Sequence, residues 1–146
     1  MEKFNVNFLK INDDAIIPTY GTLFSAGADL YSVEKVKIDA GETKIIHTGI
    51  VLEIPEGYGG FVFARSGMAS KRGLAPANKV GVIDSDYRGE IMVSLHNHSK
   101  EIQTVEKGER VAQIVFMPYA MANFIQTEDL SKTERGEGGF GSTGTK

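Results

Sequence analysis

Apolar residues in this chain alternate with polar ones over short runs, and almost nowhere do they recur at helical spacing. This pattern constrains the fold more than any other feature. Side chains two apart share one face of a strand, whereas an amphipathic helix needs apolar matches three and four apart. Phe4, Val6 and Phe8 alternate in "KFNVNFLKI", and "VKIDAGETKIIHTGIVLEI" reads as strand, turn at Ala40–Gly41, strand. "PEGYGG" reads as a turn and "FVFA" as a short strand, and Pro76 interrupts a loop. "KVGVID" then runs into the turn "SDYRG". "EIMVSLHNH" and "RVAQIVFMPYA" are further strands, with "NFIQT" as one more. Val, Ile, Phe and Thr fill these segments, as half-buried pleated positions favour. Helical pattern is confined to "SGMASK", residues 66–71. Many short strands with regular turn signals predict an all-β sandwich, barrel or jelly roll.

Length and charge narrow the function classes. A chain of 146 residues reads as one domain. The one shift in composition follows Lys132, which separates a folded unit, residues 1–132, from a Gly-rich end, residues 133–146. There is no cysteine, so disulfides and thiolate metal sites are excluded. A formal net charge of −3 argues against general nucleic-acid binding, so any anion site must be local. The N-terminus lacks the pattern of a secretion or transit segment, and no apolar run reaches membrane-spanning length, which makes the cytosol the default location. His96 and His98 share a strand face and could bind zinc only with a third ligand from elsewhere, His47 being the one other histidine.

Polar groups able to do chemistry gather in five blocks. In "ARSGMASKRG" (64–73), Arg65, Ser66 and Gly67 open a helical turn. Backbone N–H groups there could cradle a phosphate, or Ser66 could simply cap the helix. In "NKVGVIDSDYRGE" (78–90), an apolar strand runs into Asp84, Asp86, Tyr87 and Arg88. A tight hairpin there would offer a carboxylate base and an aromatic face, although Asp and Ser also favour turns for local reasons. Asp86 is assigned to the turn or to an ion pair with Arg88. In "AGADLYS" (26–32), Asp29 sits among apolar residues, so it must be hydrogen-bonded to backbone or lie near a cation. In "GERVAQ" (108–113), Gln113 lies in a core-like run and could satisfy buried backbone.

The fifth block is the end itself, "RGEGGFGSTGTK", where five of twelve residues are glycine yet one is Phe140. Ordering about a dozen residues costs on the order of 1 kcal/mol each in backbone entropy, and no apolar stripe here offsets it. Stacking Phe140 on a base would return about 1–3 kcal/mol. Arg135, Ser142, Thr143 and glycine N–H groups such as that of Gly141 could add bonds to phosphate. The segment therefore reads as a lid that closes on a nucleotide.

Taken in order, the five blocks resemble the motifs of the trimeric dUTPase family, over nearly the whole chain. "GVIDSDYRG" and "RGEGGFGSTG" are the specific pieces. Ala64 and Ala28 stand where many members have proline and tyrosine, and Glu109 where aspartate is common. The resemblance implies a distorted jelly roll, a homotrimer with shared active sites, and magnesium-assisted hydrolysis of dUTP to dUMP and pyrophosphate. That reaction would limit uracil in DNA and supply dUMP for dTMP synthesis. It implies that Asp84 deprotonates the attacking water and that Tyr87 lies against the deoxyribose. Asn78, Met92 and the backbone of Val82, Ile83 and Asp84 would receive uracil, with Phe140 covering it. Arg65, Ser66, Gly67 and Gln113 would hold phosphates, with Arg135, Gly141, Ser142 and Thr143 at the γ end. Asp29 would reach Mg2+ through water or fix the motifs around it. Three rivals remain: a dCTP deaminase or bifunctional deaminase–diphosphatase, a binding protein gated by nucleotide, and a capsid-like jelly roll without ligand.

Overall fold

The computed structural model describes residues 3–142. Eleven strands and one helix follow in order. They are β1 (Asn7–Lys10), β2 (Thr19–Tyr20), β3 (Ala28–Tyr31), β4 (Val36–Ile38), β5 (Thr43–Glu53), β6 (Tyr58–Phe63), α1 (Ser66–Arg72), β7 (Leu74–Pro76), β8 (Gly81–Ile83), β9 (Glu90–Asn97), β10 (Gln103–Val105) and β11 (Arg110–Pro118). All pairings are antiparallel. One sheet runs β1-β5-β9-β7, the other β2-β3-β11-β6-β8, and β10-β4 form a separate ribbon.

The alternation in the sequence becomes the core. On β9, Ile91, Val93 and Leu95 are buried while Met92 between them faces out. They join Ile46, Ile50 and Leu52 of β5 and Leu30, Val62 and Ile114 of the second sheet in one continuous cluster. Two antiparallel sheets thus share a core, giving a jelly-roll-like all-β fold. Asn97 ends the inward row of β9 fully buried, and every polar atom of its side chain is satisfied. Its Nδ2 donates to Ile38 O and Glu101 O, and its Oδ1 accepts from Ser99 N–H and Oγ–H.

Five details differ from the sequence expectations. Strand β6 begins at Tyr58, inside the expected turn "PEGYGG". Gly60 lies within that strand because a Cβ there would sit 2.9 Å from Ile114 Cδ1 and 3.0 Å from Ile54 Cδ1. Pro76 closes β7, an edge strand, where a missing N–H is tolerated. "NFIQT" is no strand, since its alternation finds no partner strand among the described residues. Ser66 does not cap α1: Arg65 is the cap residue, in extended conformation and without a side-chain bond, and Ser66 is the first helical residue. Finally, "GVIDSDYRG" is not a paired hairpin. Its first arm, β8, pairs with β6, and its second, β9, pairs with β5 and β7, so the segment crosses from one sheet to the other.

Candidate active site

Two groups of side chains form, on different parts of the surface. The first is built on the row where β3, β11 and β6 lie side by side, with Asp29 opposite Gln113 and Gln113 opposite Phe63. Asp29 is buried, and its carboxylate is shared by two arginines. Arg65 Nε donates to Oδ1 at 2.8 Å and Arg110 Nη1 donates to Oδ2 at 3.3 Å. Charge pairing explains how an aspartate survives on an apolar strand. Gln113 Nε2 donates to Ala64 O at 2.9 Å, which fixes the backbone just before Arg65. A Cβ at Gly27 would collide with Gln113 Oε1, so glycine leaves room for that amide. Ser66 and Gly67 follow, exposed, with open space in front of Gly67. Two guanidiniums held by one carboxylate keep net positive charge, which suits a polyanion.

Breaking this tie should be costly. Asp29→Ala is expected to lower unfolding free energy by about 3 kcal/mol in chemical denaturation, near the low end for a buried pair because both arginines retain some solvent. An unchanged midpoint would show that the arginines do not need the carboxylate.

The second group surrounds β8, an edge strand whose outer side pairs with no strand among the described residues. An edge leaves every second backbone N–H and C=O free to bond something else. Asn78 precedes this strand, and its Nδ2 would lie 3.4 Å from a Cβ at Gly81. Lys79 between them takes a left-handed conformation, φ 66°. Val82 is exposed on the strand, and Asp84 follows it, exposed and without a side-chain partner among the described residues. Tyr87 N–H donates to Asp84 O at 3.2 Å, closing the turn, and Tyr87 Oη donates to Glu90 O at 3.0 Å. Glycine at 89 leaves room for Tyr87 in this position, since a Cβ would collide with its ring and hydroxyl. Of the two roles expected for Asp86, the structure shows the turn: Asp86 lies in it, and Arg88 does not pair with Asp86. Arg88 donates to Ser85 O and Tyr87 O and lies 3.6 Å from Glu53, because the turn points it back toward the first sheet.

The single chain does not close these groups into one cavity. Val62, next to Phe63 on β6, pairs with Gly81, so Asp84 lies four residues along the chain from the row that carries Asp29 and Gln113, roughly 13 Å. Two surface cavities, about 210 and 280 Å3, meet the second group only at Glu90 and Arg88, and neither is lined by Asp29, Gln113 or Asp84. Met92 faces out on β9, in the other sheet. In the Gly-rich end, Arg135 Nε donates to Gly138 O and Ser142 N–H to Gly139 O, so the segment folds on itself. Phe140 is fully exposed with φ 49°, uncommon for an aromatic residue, and Gly141 follows with φ 88°. Thr143 lies outside the described residues.

Three features escaped sequence reasoning. Arg110 stood in the quoted block "GERVAQ", but only the pairing of β11 with β3 shows that it faces Asp29. Glu109, in place of the family's common aspartate, pairs with Arg72 and accepts Glu106 N–H, a structural task. Glu90 holds His47: its Oε2 lies 2.8 Å from Nδ1. That bond raises the His47 pKa above its ordinary 6.5 and the nearby Glu34 and Glu90 charges add to it, against partial burial. A raised folded pKa gives stability that is complete below the unfolded value and lost as pH rises through the folded one. The melting-temperature gap between wild type and His47→Gln should therefore be widest below about pH 6.5 and narrow above it. A pH-independent gap would contradict the charged pair.

The site features are an arginine pair on a buried carboxylate and an exposed aspartate beside an open strand edge, a charge pattern compatible with a phosphate ester on a β scaffold. The family model for dUTPase matches residues 13–144. A deoxyuridine 5'-triphosphate nucleotidohydrolase of Nautilia profundicola is 53% identical over 135 residues, covering 92% of this chain and 95% of its own. A mutant dUTPase of Staphylococcus bacteriophage 80alpha, solved with dUpNHpp, superposes with a TM-score of 0.89 at 30% identity, covering 98% of this chain and 100% of that one. A mutant dUTPase from phage phi11 of S. aureus, with a coordinated structural Mg(II) ion, gives 0.79 at 25% identity over 86% of this chain and 98% of its own. The chain belongs to the dUTPase family, the deoxyuridine 5'-triphosphate nucleotidohydrolases. Among the described residues no helix is long and apolar enough to cross a membrane.

Proposed function

We propose that this chain hydrolyses dUTP to dUMP and pyrophosphate in sites shared between copies of a homotrimer, with Asp84 as the base. The observation that carries the reading is the open edge of β8, with Asn78 at its start and an unpartnered Asp84 at its end. Uracil presents donors and acceptors along one edge, and the free backbone of Val82, Ile83 and Asp84 can answer them. Cytosine would leave those groups mismatched, a discrimination of about 10⁴–10⁵. Met92 lines the same pocket. The Tyr87 ring lies against the deoxyribose and leaves no space for a 2′-hydroxyl.

Asp84 accepts a proton from a water in line with the α-phosphorus. The water oxygen bonds to phosphorus as the bond to the bridging oxygen breaks, and the electron pair leaves with pyrophosphate. Arg65, Arg110 and Gln113, with Ser66 and Gly67, hold the phosphate oxygens and offset developing charge. Arg135, Gly141, Ser142 and Thr143 clasp the γ end, and Phe140 covers the base. Among the described residues no three His, Asp or Glu side chains are grouped to hold a metal, and Asp29 is committed to two arginines. That donor set fits Mg2+ carried by the triphosphate itself, with Asp29 reaching it only through water. Bound there, the ion would offset phosphate charge and help fix the chain's geometry for attack.

What the chain leaves uncovered supports a shared site. Met121, Phe124, Ile125 and Leu130 are each at least three-quarters exposed on a segment with no strand of its own, which suits packing against another copy. Residues 1–132 form the catalytic jelly roll and 133–146 its lid, working in the cytosol, or that of an infected cell if the source is viral. The test is magnesium-dependent pyrophosphate release from dUTP, UTP, dTTP and dCTP, with mass measured by light scattering. Release from dUTP alone by a trimer is expected. Equal rates on all four, ammonia from dCTP, or full activity as a monomer would overturn the reading.

A further inference from the structure

Glu90 makes contacts that the reaction does not itself require, and they converge. Strand β5 bulges against β9 between the pairs His47–Met92 and Val51–Glu90. At the bulge Gly49 has φ 67°, and a Cβ there would lie 2.8 Å from Asn12 Cβ and 2.9 Å from Ala15 Cβ. A bulge leaves backbone groups without ladder partners. Glu90 supplies one of them: Gly49 N–H donates to Oε1 at 2.8 Å, and Oε2 takes His47 Nδ1 at 2.8 Å. Thr48 Oγ1 bonds Ile91 O at 2.5 Å, pinning the next residue of β9 as well. The same Glu90, through its main-chain oxygen, accepts the Tyr87 hydroxyl at 3.0 Å. One residue therefore ties the Tyr87 ring to the bulge of a strand in the core.

We infer that Glu90 is a positioning residue for sugar selection: its carboxylate, clamped to the β5 bulge, fixes the carbonyl on which the Tyr87 ring is hung, and so sets how closely that ring approaches the sugar C2′. The assignment rests on the reading of Tyr87 as the wall against the deoxyribose. A 2′-hydroxyl is excluded sterically only if the wall cannot recede, and a hydroxyl anchored to mobile backbone would recede. In this reading Glu90 acts through Tyr87 and not on the substrate itself. Its side chain is mostly buried and its two oxygens are both used, so it holds a single geometry.

The experiment measures kcat/KM for dUTP and for UTP in the full chain. Glu90→Leu removes both side-chain bonds and should lower the dUTP/UTP ratio about tenfold, short of the hundredfold that a full ångström of misplacement can cost. Glu90→Asp, too short to reach both partners, should lower it about threefold, which keeps the test available if the leucine variant does not fold. Glu90→Gln retains an oxygen for Gly49 N–H and should keep the wild-type ratio, while the pH dependence of stability assigned to His47 disappears. Tyr87→Ala separates the two layers of the argument. A lowered ratio in Tyr87→Ala with a wild-type ratio in folded Glu90→Leu and Glu90→Asp overturns the assignment alone. A wild-type ratio in Tyr87→Ala overturns the reading of Tyr87, and this assignment with it.

Discussion

Asp84→Asn should reduce pyrophosphate release by about 10²–10⁴-fold, the contribution of a general base, while dUTP still binds. The substitution is close to isosteric and keeps an acceptor oxygen on the water. What it removes is the capacity to take the proton as the oxygen attacks phosphorus. The structure makes the experiment clean in two respects. Asp84 is exposed and its side chain has no partner among the described residues, so no ion pair is lost and stability should not change. Its backbone carbonyl, which accepts Tyr87 N–H, is untouched, so the turn persists. Asp86, two residues on and also exposed, is the natural control, and Asp86→Asn should keep most of the activity. Wild-type turnover by Asp84→Asn, or loss of dUTP binding together with turnover, would remove Asp84 as the base.

Deleting residues 135–146 should lower kcat/KM by about 10²–10³-fold and leave the melting temperature where it was. The two halves of this expectation have different sources. Stability is spared because the segment bonds only to itself and to Thr133 among the described residues. Activity falls because the lid brings a guanidinium, hydroxyl and N–H donors, and an aromatic face to a substrate otherwise open to water. The ring can be isolated: Phe140→Ala should cost about 1–3 kcal/mol of transition-state binding if stacking is its contribution. A truncated chain with full activity would return the segment to the status of an ordinary Gly-rich end.

Much of the fold was legible in the sequence because strand alternation is a local property. Ile91, Val93 and Leu95 alternate with Met92 and Ser94 in the chain, and they alternate between core and surface in the fold. Where the reading erred, the cause lay in a neighbour distant in sequence. Gly59 and Gly60 look like turn residues, yet core methyls of Ile114 and Ile54 approach Gly60 too closely for any side chain. "NFIQT" has a strand's alternation, but a strand also needs a partner, and among the described residues none pairs with it. The two arms of "GVIDSDYRG" sit close enough in sequence for a hairpin and instead join opposite sheets, which only the whole topology decides.

The site was legible as residue types and much less so as geometry. Asp29 on an apolar strand demanded a cation or a backbone partner, and its partners prove to be Arg65 and Arg110, 36 and 81 residues away. The glycines divide the same way. Gly27 and Gly49 leave room for Gln113 and Asn12, which are distant in sequence, whereas Gly89 leaves room for Tyr87, two residues before it. Ala64, a departure from the family pattern, serves Gln113 through its carbonyl, which any residue could supply.

The account depends on the lid ring meeting a base held at the edge of β8. A crystal structure of the full chain with dUpNHpp and magnesium tests this directly. The account expects Phe140 of one copy stacked on a uracil bonded to Val82, Ile83 and Asp84 of another, with a water between Asp84 and the α-phosphorus. A uracil bound elsewhere, or Phe140 pointing into solvent in every copy, would contradict it.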